Sequence, residues 1–524
     1  MTRWRTRRPA GYVDAAILAA SIGVSGVALA QDAVTITGEG GTPLVAGEVV
    51  GFDGRNLRLA TEFGEVTLDY GAVICSGAAC PDPDAYVPRL RFSGARRLGE
   101  VILPALIDGY ARSIGGSVTR EDGSDGTVGH GLLDEGGEAI LDVSLRVTTT
   151  DDGLADLLAL EADVVMAARD LTEEEQTLAA EAGFDLRNRS RMLALDALVP
   201  VVSPVLGLRD ITPGALADIH AGNTVSWDAL GAEPGPIAMH LISRETGQTQ
   251  DLIDTLFLGA AAGGDVTYHD TLDGLLTAVA EGRGAIGLAP FGDIGSTRQI
   301  GLVGRCGRPA PATVETIKTE DYPLTMPLYL IGVDRMLHPR EAAFLDWLGT
   351  GEAQLILRRA GVLTQDPVPI PLDRQGERLA SAIAQAGVTV PLGEVRGMTA
   401  GLRGRVRLSL TFRFETGDAA LAAPSLSHVE FLATAIEEGA YDDRTLYFLG
   451  FSDGDGPAAE NLTLSRERAG VVRDAVVAAL GGTVPDGLDL RIEGYGEMLP
   501  IACDDAAWGR EVNRRVELWV GAAE

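Results

Sequence analysis

Near the C-terminus a glycine-rich loop, Gly450-Phe451-Ser452-Asp453-Gly454-Asp455-Gly456, hands the chain to a segment of helical periodicity. Within Leu464 to Leu480, the residues Ala469, Val472, Val476, Ala479 and Leu480 lie on one face, and Gly481 supplies a stop. Upstream, Leu408, Leu410, Phe412 and Phe414 alternate as in a strand, and Ser425 to Glu438 reads as another helix. This order of strand, loop and helix restricts residues 401–524 to a compact β/α unit. It sets Asp453 at a strand end, in a loop whose glycines let a ligand approach the backbone. Arg468 follows fifteen residues later, early in the helix, and Asn461 precedes it by seven residues, two helical turns.

An acid and a guanidinium so placed suit a zwitterion. A carboxylate takes an ammonium group, and a planar Arg donates two parallel hydrogen bonds to a carboxylate. With Asn461-Leu462-Thr463-Leu464-Ser465-Arg466-Glu467-Arg468-Ala469, Gly494-Tyr495-Gly496-Glu497 and Asn513-Arg514-Arg515-Val516-Glu517, the segment resembles the OmpA-like domain, a periplasmic module that grips the peptide stem of peptidoglycan. The resemblance implies that Asp453 holds the ammonium of diaminopimelate and Arg468 its carboxylate. It further implies a supporting role for Asn461 and a place near the site for Arg515. Phe451-Ser452 stands where that family usually has His or Tyr before Thr. Gly450-Phe451-Ser452-Asp453-Gly454 also satisfies G-x-S-x-G, the nucleophile elbow of hydrolases. That reading fails because Gly456-Pro457 interrupts the required helix and every His precedes Ser452.

From 89 to 363, strand-like and helix-like stretches alternate, which predicts α/β layers. Arg89-Leu90-Arg91-Phe92, Ala162 to Met166, Ile237 to Leu241 and Gly284 to Leu288 read as strands. A helix is expected through Val101 to Tyr110, and another from Pro213 to Ala221 with Thr212 as N-cap. The segments Ala162 to Leu171, Pro213 to Gly222 with Trp227, Arg244-Glu245-Thr246-Gly247-Gln248-Thr249, Gly282 to Gly287, Tyr322 to Tyr329 and Phe344 to Leu348 resemble, in order, the two-lobed phosphate-type periplasmic solute-binding proteins. What that resemblance implies is a cleft for a small anion such as phosphate, with Arg244 and Thr249 as main ligands, Arg169, Ser93 and Arg97 behind them, and an ABC permease as a further partner. The pattern is depleted in hydroxyls. Ser93-Gly94-Ala95-Arg96-Arg97 replaces a Gly-Ser-x-Thr pattern, Ala167-Ala168 replace Ser or Asp, and Gln248-Thr249 replace Ser-Gly-Thr. Each lost hydroxyl forfeits a charge-assisted hydrogen bond of roughly 1.5–3 kcal/mol.

Residues 31–88 read as a small β domain, with short alternating runs and Asp53-Gly54 as a hairpin signal. Residues 364–400, rich in Pro and Gly, are expected to be a linker. Residues 1–30 read as a secretory signal peptide: Arg3, Arg5, Arg7 and Arg8, then an apolar run ending at Ala28-Leu29-Ala30. The expected fold class is therefore α/β and α+β multidomain: a small N-terminal β unit, a two-lobed α/β domain and a C-terminal β/α sandwich. Export places the four cysteines where disulfides persist. Cys75 and Cys80 suit a local bridge, while Cys306 and Cys503 fall in different domains and their pairing stays open.

A formal charge of −32 repels nucleic acid, and no basic tract offsets it. No metal-ligand cluster, H-E-x-x-H motif or Ser/His/Asp order appears, so no enzyme and no cofactor are expected. The expectation is a periplasmic, non-enzymatic binding protein, associated with the cell wall and outer membrane through its C-terminal domain, that captures a small anion centrally. The alternative is a structural envelope protein whose solute-binding domain is degenerate and serves protein contacts.

Overall fold

The computed structural model describes residues 33–523 except 39–41, 84, 125, 188, 244–256, 258–261, 333–334, 336, 386–389, 415–419 and 505–506. The expected signal peptide, Arg244 and Thr249 lie outside the described residues. No helix among those described is long and apolar enough to cross a membrane.

Asp53 and Gly54 do turn a hairpin. The Asp53 carboxylate accepts the amides of Arg55 (3.0 Å) and Asn56 (2.6 Å), while Gly54 takes φ +87°. A side chain at Gly54 would also strike Tyr86 and His338, so this turn needs Gly for conformation and for space. The strands Ala33–Gly38, Pro43–Phe52, Asn56–Thr61, Gly64–Asp69 and Val73–Ser76 form one antiparallel sheet in the order fourth, third, second, first, fifth. Its core is small: Val34, Ile36, Leu57 and Leu59. The Cys75–Cys80 disulfide closes the last turn of this unit, where so little apolar area is buried.

In the central domain, Val164–Ala167 is buried at every position, as an interior strand covered on both faces must be. It lies beside Arg89–Ala95, which pairs in turn with Ala139–Thr148. Gly94 (φ +136°) extends that strand beyond the expected break, because its backbone presses against the Met166 carbonyl where no Cβ fits. The following helix begins earlier than its apolar periodicity suggests, with a wide turn over Arg97–Ile102 that runs into Leu103–Ser113. On the other side, Ala285–Pro290, Ala238–Ile242 and Val266–His269 form a second lobe. Two long strands, Ser190–Val202 and Thr325–Gly332, run antiparallel through both lobes and join them in one sheet. The expected helix is present at Pro213–His220, with Thr212 Oγ1 accepting the Ala215 amide at 3.0 Å. One core surrounds Leu90, Phe92, Leu106 and Phe344; the other surrounds Trp227, Met239, Val279 and Ile286.

The C-terminal sheet runs Pro369–Ile370, Val406–Phe412, Arg515–Ala522, Arg444–Phe451, Asp489–Gly494. Alternation along Arg444–Phe451 sends Leu446 and Phe448 to the face covered by helices Ala423–Glu437 and Ala458–Ala479. Tyr447, Leu449 and Phe451 go to the opposite face, with Trp519, Val395 and Met398. This corrects the expectation of a linker at 364–400. Within it, Pro369–Ile370 is an edge strand, and Gly376–Gln385 and Leu392–Gly401 are helices of the C-terminal unit. Its prolines and glycines punctuate short elements instead of keeping the segment free.

The C-terminal unit is fastened to the central domain. Cys306 is bonded to Cys503 across a sequence separation of 197. Arg308 Nη1 donates to the Pro500 carbonyl at 2.9 Å. Asp321, 6% exposed, accepts Arg407 (3.0 Å) and Arg413 (3.2 Å). Arg407 also approaches Glu517 at 3.5 Å, and Arg378 reaches the same carboxylate at 2.7 Å. Burial alone would lift the Glu517 carboxyl, but Arg378, Arg407 and Arg515 hold it well below the ordinary range.

Candidate functional site

Asp453 leaves the end of strand Arg444–Phe451 after one residue, and a network fixes the loop that carries it. Ser452 N donates to the Gly496 carbonyl at 2.8 Å. Gly454 N donates to Asp504 Oδ2 at 3.0 Å. Asp504 is itself held by Asn513 Nδ2 at 2.7 Å, and Asn513 accepts the amides of Ile501 and Ala502. Asn461 is buried and donates to the Asp453 carbonyl at 3.3 Å, so it shapes the loop and leaves the carboxylate to others.

The side chain of Asp453 is 13% exposed and takes Arg514 Nη1 at 2.8 Å. Phe451 pairs with Arg515 across the sheet, and this register sets Arg514 level with the Asp453 loop. Arg468 projects from helix Ala458–Ala479 with its guanidinium 5.4 Å from the Phe414 ring. Its Nη1 is buried and has no hydrogen-bond partner among the described residues. Burial draws the Arg468 pKa down, nearby Arg514 adds to that, and Asp453 opposes it. Arg468 therefore lies within electrostatic reach of both. One carboxylate and one guanidinium pair at this loop, and a second guanidinium stands near enough to feel both charges, an arrangement with capacity for an ammonium and for a carboxylate.

Arg515 is not part of this group. It is fully buried, donates to Glu517 Oε1 (2.8 Å) and to the Leu499 carbonyl (3.0 Å), and lies over the Phe451 ring at 4.3 Å. Burial pulls its pKa to about 9, with Glu517 resisting. Its expected place at the candidate site is corrected: Arg515 lies in the core beneath the loop, and the neighbouring Arg514 is the one that pairs with Asp453. The period of two carried the signal. Arg515, Glu517 and Trp519 share one strand face, and a Trp on that face marks it as core. Ser452 is 2% exposed and the next helix begins only at Ala458, consistent with the rejected nucleophile reading.

In the central domain, the described members of the expected anion cluster do not converge. Ser93 is buried, with its hydroxyl 2.5 Å from Asp156 Oδ2 and 3.2 Å from Thr148 Oγ1. Arg97 is paired to buried Asp196 at 3.3 Å and donates to the Ala360 carbonyl. Burial raises the Asp196 carboxyl to about 6, and Arg97 only partly offsets this. Arg169 is bidentate to Glu175, 2.8 Å on each nitrogen, and also meets Asp151. Each of the three described donors, Ser93, Arg97 and Arg169, already has a carboxylate of this chain, which repels a second anion.

The family profile described as a PBP superfamily domain matches residues 137–351, and that of the OmpA family matches residues 413–514. Outer membrane porin F of Pseudomonas aeruginosa is 33% identical over 117 residues, which is 22% of this chain and 32% of that protein. The probable lipoprotein YiaD of Escherichia coli is 30% identical over 105 residues, 20% of this chain and 45% of that protein. The chain thus spans about a third of the porin F sequence and under half of YiaD. Among solved structures, an ABC-type phosphate transport receptor from Vibrio cholerae aligns with a TM-score of 0.42 at 17% identity, over 53% of this chain and 99% of that one.

Proposed function

From a chain that carries a PBP superfamily domain at 137–351 and an OmpA family domain at 413–514, we propose a non-enzymatic binding protein of the cell envelope that attaches to peptidoglycan through its C-terminal unit. The observation that carries this reading is Asp453 set beside Arg514 and within the electrostatic influence of Arg468, whose Nη1 is buried and has no hydrogen-bond partner among the described residues. A stem-peptide diaminopimelate presents an ammonium and a carboxylate on one carbon. Asp453 takes the ammonium. Arg468 takes the carboxylate, and its half-buried guanidinium is already partly desolvated before the ligand arrives. Arg514 orients Asp453 and offers the carboxylate a second cation.

Co-sedimentation of the full chain with insoluble peptidoglycan tests this. Loss of one charge-assisted contact costs roughly 1.5–3 kcal/mol, so Arg468→Ala and Asp453→Asn each weaken binding by about tenfold or more. Full retention of binding by a folded Arg468→Ala protein refutes the assignment.

For the central domain, the internal carboxylates on Ser93, Arg97 and Arg169 favour a second reading: this domain serves protein contacts, with free anion capture lost. Arg244 and Thr249 are the remaining candidates for phosphate. Calorimetric titration with millimolar phosphate separates the two readings: heat that Arg244→Ala abolishes supports capture, and no heat supports a contact role. An ABC permease is the partner only in the first case.

A further inference from the structure

Where the central domain meets the C-terminal unit, a cavity of about 320 Å³ opens between the loop after Val164–Ala167, the start of strand Thr325–Gly332, and Arg413, Phe414 and Glu511. Its walls are mainly apolar, from Leu171, Leu198, Leu324, Met326, Tyr329 and Phe414. Its charged groups are unequal in what they still need. Arg169 is engaged by Glu175 and Asp151. Arg413 spends its donors on the carbonyls of Val512 (2.8 Å), Glu320 (2.9 Å) and Thr319 (3.2 Å) and on Asp321. Asp170 accepts Ser190 Oγ and the Leu171 amide. Glu320 is different: its Oε1 is buried and has no hydrogen-bond partner among the described residues. Glu320 is also held at φ +55°, a conformation unfavourable for a residue with a Cβ.

A buried carboxylate oxygen without a donor is costly, and two arginines stand nearby already committed to others. The cavity therefore lacks a donor, preferably a cationic one, and its walls suit hydrocarbon. Burial raises the Glu320 carboxyl to about 7, with Arg413 opposing the rise and Asp321 and Glu511 adding to it. A cation beside it would restore the ionised form.

We propose that this cavity binds an organic ammonium ion with an apolar body, its head on Glu320 and its hydrocarbon against Leu324, Met326 and Phe414. Neither the stem-peptide site nor the expected anion cleft assigns such a ligand, and the proposal stands without either. Phe414 lines this cavity and also faces Arg468 of the stem-peptide site.

The test is calorimetric titration of the full chain with 2-phenylethylammonium and with 3-phenylpropionate, similar in shape and opposite in charge. It is run at about pH 8, where the carboxylate is ionised. The expected result is a preference for the ammonium of at least about tenfold, lost in both Glu320→Gln and Glu320→Gly. The Gly variant suits the left-handed backbone, so it retains the fold even if Gln does not. Equal binding of both probes, no heat from the ammonium at about 10 mM (weaker than a millimolar constant), or ammonium binding that survives both substitutions overturns the proposal.

Discussion

Replacing Asp321 with Ala removes the carboxylate shared by two arginines at the junction of the central domain and the C-terminal unit. Arg413 keeps its backbone carbonyl partners, so its charge stays largely satisfied. Arg407 is worse placed. Its side chain is 3% exposed, and without Asp321 it retains Thr411 Oγ1 at 3.1 Å and Glu517 at 3.5 Å, which Arg378 and Arg515 already occupy. Breaking one side of a buried ion pair costs about 3–5 kcal/mol, and the surviving contacts put Asp321→Ala near the lower end. For a unit of about 150 residues, 3 kcal/mol corresponds to a fall in Tm of roughly 6–12 °C. Calorimetry reads the total, and tryptophan fluorescence divides it, because buried Trp227 and Trp519 report on the central and C-terminal parts respectively. The Trp519 transition should move more than that of Trp227. A loss below about 1 kcal/mol, the scale of an exposed pair, would refute the view that this network fastens the two parts together.

Three further outcomes are expected. Arg515→Ala should lower stability by about 3–5 kcal/mol in urea titration, because it strips Glu517 of a buried partner; loss of peptidoglycan binding by a protein of unchanged stability would instead return Arg515 to the ligand site. Cys306→Ser opens a link across a sequence separation of 197, for which the chain-entropy relation gives a loss of up to about 5 kcal/mol; denaturant midpoints that do not differ with and without reductant would contradict it. His428 is buried and hydrogen-bonded through Nδ1 to the Thr411 carbonyl, and burial lowers its pKa to about 4. The unfolded chain takes up that proton near pH 6.5 and the folded chain only near 4, so stability falls as pH drops through this window, by about 3 kcal/mol for this group. His428→Asn should flatten that part of the curve relative to the native chain, and parallel curves would show that His428 does not titrate as described.

The sequence reading went furthest where a short-range rule was decisive. Thr212 before Pro213 marks a helix start through local hydrogen bonding, and Asp53-Gly54 marks a turn through side-chain capping and positive φ. Ala162 to Met166 reads as a strand from its apolar run, and the structure has one at Val164–Ala167. The segment 364–400 was misread because proline and glycine report where elements end and say nothing about whether the pieces between them pack. The elements that carry the candidate site were legible as a strand end, a loop and a helix at fixed spacing. Which of two adjacent arginines pairs with Asp453 is not evident from spacing, although the face shared by Arg515, Glu517 and Trp519 carries that information.

The sequence by itself determined the local elements and the alternation of layers, because capping, turn chemistry and periodicity act over a few residues. Only the tertiary structure decided that Cys306 meets Cys503, that Asp321 gathers Arg407 from a later strand and Arg413 from just past its end, and that Ser93, Arg97 and Arg169 each face an acid of their own chain. Those outcomes depend on charges and sulfurs brought together from distant positions. The energies of the charge pairs arise from desolvation on burial and that of the disulfide from loop closure, both properties of the assembled chain and not of any segment within it.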